Sequence, residues 1–222
     1  MCPRETYGCM TTIVASEDAM IRTETLASVL GEETEVVSAE LESADDIVDA
    51  AGEAAGLVVD VNTPVPTVVF EECEQLQIVA RAGVGVDQID FEAAAANDVT
   101  VVNVPDYCRD EVSTHAASLL FAGIRRLSVF DRAVKGGNWH WTDGQPIYRL
   151  TGETVGFLSF GQLAQATAEK LQGFDCRFVA ADPYVDEETM AEYGVEKVPF
   201  DDLLEEADHV SIHAPLTDDT RG

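Results

Sequence analysis

A turn that carries glycine between a β-branched run and a helical run can seat a phosphate. Residues 155–164, Val-Gly-Phe-Leu-Ser-Phe-Gly-Gln-Leu-Ala, have that form. The spacing that cradles a dinucleotide pyrophosphate is G-x-G-x-x-G, and here Ser159, Gly161 and Ala164 occupy its three positions. Gly161 keeps the place where backbone must approach phosphate, and alanine is accepted at the third place. Ser159 is the departure, because the first place serves a tight turn that glycine makes with least strain. Twenty-one residues after Gly161, the strand-like run Arg177–Ala181 ends in Asp182. A carboxylate there accepts from ribose hydroxyls and repels a 2′-phosphate, which selects NAD over NADP. Taken singly, the turn reads as a plain strand-to-helix loop and Asp182 as the start of an Asp-Pro turn. The two features at this separation favour the cofactor.

The other reactive side chains are less organised. Cys2, Cys9, Cys73, Cys108 and Cys176 form an odd, widely spaced set without C-x-x-C, so free thiols in a reducing cytoplasm are expected and no metal site. Cys2 and Cys9 have no histidine beside them. His115, His140 and His209 read as structural histidines, and Trp139-His140-Trp141 as an aromatic patch for a subunit or interdomain contact.

Charge excludes several partners. The 222 residues carry 42 acidic and 13 basic side chains, a net of −29, and the only adjacent cations are Arg125-Arg126. Nucleic acid and anionic membrane surfaces are therefore not expected partners. No 18-residue apolar run exists, and the first residues lack the apolar core of a signal peptide. Such self-repulsion suits a cytoplasm of molar salt, where the Debye length is roughly 3 Å, so a halophilic source is expected.

The elements that must position these residues alternate. Strands are expected at Thr12–Ala15, Glu35–Ser38, Leu57–Val61, Gln77–Ala80 and Thr100–Val104, with helices at Glu17–Leu30, Ser43–Ala54, Val65–Glu72 and Phe91–Asn97. One long helix is expected from about Glu111 to Lys135, stopped by Gly136-Gly137. An irregular stretch at Trp139–Arg149 follows. A second series has strands Thr154–Leu158, Arg177–Ala181, Glu196–Val198 and His209–His213, with helices Gln162–Leu171, Glu187–Tyr193 and Asp201–Glu206. Strands apolar on both faces, as in Gly56-Leu57-Val58-Val59, belong in parallel sheets covered by helices. The expected fold is α/β, two doubly wound parallel-sheet units.

From about Thr11 the sequence resembles the D-isomer-specific 2-hydroxyacid dehydrogenases, which include phosphoglycerate dehydrogenase and the C-terminal-binding proteins. The residues that carry the resemblance are Arg81–Asp90 (Arg-Ala-Gly-Val-Gly-Val-Asp-Gln-Ile-Asp), Val101–Pro105, Asp110–His115, Asp182-Pro183-Tyr184 and His213–Thr217. The resemblance implies a flavodoxin-like substrate domain at 1–104 and a Rossmann NAD-binding domain at 105–222, with the C-terminal half of the latter missing. It implies that backbone amides of Gly83, Val84 and Gly85 hold the substrate carboxylate, with Arg81 as an electrostatic aid. For the cofactor it implies Ser159, Gly161, Gln162, Leu163 and Ala164 at the pyrophosphate, Asp182 at the ribose, and His213, Ala214 and Pro215 along the nucleotide cleft. The implied reaction is hydride transfer between NAD(H) and a small 2-hydroxy or 2-keto acid, in a cytoplasmic protein that is a homodimer when complete.

In that family an arginine, a glutamate and a histidine complete the chemistry after the His-x-Pro-Leu-Thr element, and no counterpart follows Thr217 in this sequence. A fragment, or a truncated and decaying gene copy, inactive alone, is the expectation; the alternative is a non-catalytic NAD-binding or protein-interaction module.

Overall fold

The computed structural model describes residues 10–217, 220 and 221. The chain divides into two compact units, Met1–Tyr107 and Cys108–Gly222. The first holds 22 acidic residues against three arginines and no lysine, a net of −19; the second carries the remaining −10. All three lysines therefore lie in the second unit. Lys135 pairs with Asp131 at 2.7 Å, Lys170 with Asp110 at 2.5 Å, and Lys197 Nζ donates to Val185 O at 2.6 Å.

The first unit runs β1 (Thr11–Ser16), α1 (Thr23–Leu30), β2 (Thr34–Ala39), α2 (Ala44–Ala51), β3 (Gly56–Val59), α3 (Thr67–Glu72), β4 (Ile78–Arg81), α4 (Phe91–Ala96) and β5 (Thr100–Val102). Its five strands are parallel in the order β2-β1-β3-β4-β5. Val14, Leu57, Val59 and Val79 from the strands pack with Ile47, Val69 and Phe70 from the helices. That buried apolar surface is the main stabilising term.

Several elements are shorter than their periodicity suggests, and for two of them, α1 and β3, one aspartate each explains it. α1 starts at Thr23, not Glu17, because Asp18 Oδ1 accepts from Met20 N at 2.7 Å and folds the preceding residues into a turn. β3 stops at Val59, not Val61, because Asp60 accepts from Asn62 N at 2.6 Å and Thr63 Oγ1 at 3.0 Å.

The second unit begins with α5 (Arg109–Ile124) and α6 (Leu127–Lys135), so the expected long helix is two. Arg126 stands between them at φ 54°, a left-handed conformation that ends the α5 ladder. A 3-10 turn at Trp141–Gly144 follows. Next come β6 (Thr154–Leu158), α7 (Gln162–Leu171), β7 (Arg177–Ala181), α8 (Glu187–Glu192), β8 (Glu196–Lys197), α9 (Phe200–Glu206) and β9 (His209–Ile212). The parallel sheet has the order β8-β7-β6-β9. Ala117 on α5 meets a cluster containing Ala164 and Ala168 of α7, small residues that let two helices approach. Val210 and Ile212 on β9 are 41% and 71% exposed. Both units are the α/β, parallel-sheet structures expected from the alternation.

Candidate functional site

In the second unit β6 lies between β7 and β9, so the strand order reverses on either side of it. Ligands of open α/β sheets bind outside the carboxyl ends of the strands at such a reversal. β6 delivers its chain there into Ser159-Phe160-Gly161 and then α7. Gly156 within β6 is a glycine for space: a Cβ there would lie 2.9 Å from Ala207 Cβ and 3.1 Å from Leu203 Cγ. Phe160 is fully buried and meets Phe157 edge-on, which pins the turn to the core.

Ser159 has φ +69°, the left-handed region that glycine enters without strain. The sequence departure at this place is therefore a real backbone cost. Its side chain offsets part of it: Ser159 Oγ donates to Asp182 Oδ2 at 2.9 Å, and Phe160 N donates to the same oxygen at 2.8 Å. Asp182 Oδ1 accepts from Tyr184 N at 2.8 Å and Val185 N at 3.3 Å. Burial alone would raise the Asp182 pKa, but the amides of Phe160 and Tyr184, the Ser159 hydroxyl and the Val185 amide outweigh it and hold the carboxyl below its ordinary value. Asp182 thus ties the end of β7 to the turn after β6.

The start of α7 is open. No side chain caps it, and a Cβ added at Gly161 would meet nothing within 4 Å. The first amides of a helix have no intrahelical acceptor, so Gln162 and Leu163 present donors beside the positive end of a ten-residue helix. Ala164 is fully buried and packs rather than faces a ligand.

Two cavities flank this helix start. One, about 560 Å³, is lined by Asp182 and Pro183 with Leu158, Ala181 and the Lys197–Phe200 segment. The other, about 900 Å³, lies between α5 and β9 and includes Leu163, Ser211, His213, Ala214 and His115. Pro215 does not line it, and its carbonyl accepts from Thr220 Oγ1 at 2.7 Å. Ser211 Oγ and His213 Nε2 are 2.9 Å apart, and burial pushes the His213 pKa down, so its imidazole is neutral at pH 7. An open helix start between a cavity holding a carboxylate and a long apolar groove fits a dinucleotide: anionic linker at the amides, a ribose at Asp182. The Lys197–Phe200 wall was not anticipated from the sequence. Its only signal was a short strand one step beyond Asp182.

In the first unit the loop after β4 holds the other expected site. Arg81 is only 6% exposed, and a Cβ at Gly83 would come within 2.6 Å of its Nη1. Gly83, with no positive φ of its own, thus leaves the space that the Arg81 guanidinium occupies. The Gly83 N–H donates to Arg81 O at 2.8 Å and is committed there, which separates Gly83 from the donors expected of it. Among the described residues the amides of Val84 and Gly85 have no backbone acceptor. Asn103 Nδ2 holds Val84 O at 2.8 Å, and Val104 N holds Gly83 O at 3.0 Å, so the loop is braced from β5.

Of the remaining sequence candidates, His209 also lines the larger cavity, and its Nε2 lies 3.4 Å from Glu153 Oε2. Cys73, Cys108 and Cys176 are free thiols, and Cys2 and Cys9 lie outside the described residues. Among the described residues no three His, Cys, Asp or Glu side chains are grouped to hold a metal, and no helix is long and apolar enough to cross a membrane.

Comparison with known proteins bears on the family and the fold. Residues 13–159 match the family profile "D-isomer specific 2-hydroxyacid dehydrogenase, catalytic domain", and residues 117–222 match its "NAD binding domain". The chain is 36% identical over 197 residues to a D-3-phosphoglycerate dehydrogenase of Mycobacterium bovis, covering 88% of this chain and 37% of that protein. It is 35% identical over 177 residues to a glyoxylate reductase of Korarchaeum cryptofilum, covering 78% of this chain and 53% of the relative. The structure of an NAD-dependent formate dehydrogenase from Staphylococcus aureus in complex with NAD superposes with a TM-score of 0.81 at 25% identity, over 95% of this chain and 67% of the other.

Proposed function

The chain belongs to the D-isomer specific 2-hydroxyacid dehydrogenase family, and on that premise we propose that it serves an NAD-dependent oxidoreductase acting on the CH–OH carbon of a D-2-hydroxy acid. NAD is the cofactor of its second unit, and when bound it supplies the hydride acceptor or donor. The amides of Gln162 and Leu163, with the α7 dipole behind them, hold the pyrophosphate. Asp182 orients the adenosine ribose and disfavours a 2′-phosphate. Leu163, His213 and Ala214 exclude water along the groove. In the first unit the free amides of Val84 and Gly85, above the buried Arg81 charge, hold the substrate carboxylate. The small-molecule partner is thus a 2-hydroxy or 2-keto acid.

The observation that carries the reading is the uncapped start of α7 beside a carboxylate anchored at the end of β7. Calorimetric titration of NAD and NADP against the wild type and Asp182→Ala tests it. NAD should bind the wild type at least about tenfold tighter than NADP, and Asp182→Ala should narrow that gap. Equal affinity of the wild type for both would overturn the assignment of Asp182.

Trp139 and Trp141, 84% and 71% exposed beside Phe130 and Val134, form the proposed contact of a homodimer. Light scattering of Trp139→Ala/Trp141→Ala, expected to be monomeric, tests it. Free Cys73, Cys108 and Cys176 suit a cytoplasmic setting.

A further inference from the structure

One cation stands in the cavity that holds Asp182. Lys197 lines that cavity of about 560 Å³, and no second lysine, arginine or histidine does among the described residues. Lys197 ends the two-residue strand β8 in register with Ala180 of β7, and Val198 N donates to Ala180 O at 2.9 Å. This pairing sets the lysine beside the strand that delivers Asp182. Its half-buried Nζ donates to Val185 O at 2.6 Å, the one hydrogen bond it makes among the described residues. An ammonium has three donors, so two stay unused. Lys135 and Lys170, in contrast, each meet an aspartate. The Thr189 amide and hydroxyl, and last the Lys197 charge, hold the Asp186 carboxyl below its ordinary value, and its bond from Thr189 N at 2.8 Å commits it to the start of α8. Asp182 is in the opposite condition. A carboxylate offers about four lone-pair places. Here Ser159 Oγ and Phe160 N donate to Oδ2, and Tyr184 N and Val185 N donate to Oδ1. Asp182 keeps its negative charge but has little acceptor capacity left for a ribose diol. The cavity thus sets an under-used donor beside a nearly saturated anion.

We propose that Lys197 is a specificity-determining residue of the cofactor site, donating from its ammonium to the ribose oxygens of the adenosine half. The proposal rests on the assignment of NAD to the second unit. Val185 is gripped at both ends, its N–H by Asp182 and its C=O by Lys197. The second bond holds the ammonium in place before the nucleotide arrives, so little side-chain freedom is lost on binding. A 2′-phosphate would meet repulsion from Asp182 and attraction from Lys197 in the same cavity. The preference for NAD is therefore the difference of two opposed effects. Asp182 sets its sign, and Lys197 limits its size.

The test is calorimetric titration of the full chain with NAD and NADP, in the wild type, Lys197→Met and Lys197→Arg. Lys197→Met should bind NAD about fivefold more weakly and NADP more weakly still, so that the preference for NAD widens by about threefold. Lys197→Arg keeps the charge and should keep the wild-type preference. A lysine that only braced the turn through Val185 O would behave differently. Its removal would let Asp182 drift, and the preference would narrow as in Asp182→Ala. Where Lys197→Met lowers the melting temperature, Lys197→Gln, which keeps a donor for Val185 O, is held to the same widening. A narrowed or unchanged preference overturns the role of Lys197 while leaving NAD in the second unit. A wild type that binds neither nucleotide overturns the cofactor reading and this assignment with it.

Discussion

Ser159 combines a backbone cost with a side-chain gain. A non-glycine residue in the left-handed region costs about 1–2 kcal/mol, and a hydroxyl bonded to a carboxylate returns about the same. Ser159→Gly should therefore change the melting temperature little. It should tighten NAD binding by a few-fold, because Asp182 Oδ2 is released from the hydroxyl to meet a ribose; calorimetry showing weaker binding would count against this. Asp182 also sets an acid limit. Its pKa is lowered from 3.8, so its stabilising contribution is present above that value and lost as pH falls through the folded-state pKa. Asp182→Asn should be less stable at pH 7 and lose less stability between pH 4 and pH 2, followed by circular dichroism melts. The spacing from Gly161 made Asp182 visible in the sequence. Its attachment to Phe160 and Ser159 was not visible, because it depends on the φ that Ser159 adopts. The loop glycines were likewise legible as glycines, but the packing of the Arg81 guanidinium against Gly83 is a contact between residues whose spacing carries no signal.

At the level of elements, periodicity found the strands and helices and placed β6, α7 and β7 with the observed bounds. It overran where a single side chain diverts the backbone, as Asp18 and Asp60 do. The apolar spacing of Ala116 to Leu127 continues across Arg125-Arg126, so nothing in the pattern announced the left-handed Arg126. That break makes a sign prediction. In a continuous helix Arg126→Gly would cost about 1 kcal/mol. At φ 54° it should instead stabilise by about 0.5–1 kcal/mol, less the small loss of the exposed Arg126 Nε to Pro146 O contact at 3.3 Å. Urea denaturation decides between the two signs. Gly156→Ala should act oppositely, since its methyl would sit 2.9 Å from Ala207 Cβ; a cost of about 1–3 kcal/mol is expected in the same assay.

Across the whole molecule the charge is unevenly shared, −19 on the first unit and −10 on the second. Repulsion among like charges is relieved by salt, so the first unit should gain more from KCl. Hydrogen–deuterium exchange at 0.1 M and 2 M KCl should show the larger gain in protection in peptides from residues 11–102; equal gains in both units would sink the idea. Composition told of this charge at once, but its partition needed the boundary between the units. The same partition has a chemical consequence. Lys135, Lys170 and Lys197 all belong to the second unit, and Lys135 and Lys170 are paired with aspartates. Amine-reactive dyes and lysine cross-linkers will therefore find their lysines in that half alone. A cleavage at lysine leaves the whole of residues 1–135 on one peptide, so the acidic half travels intact through any lysine-directed digestion.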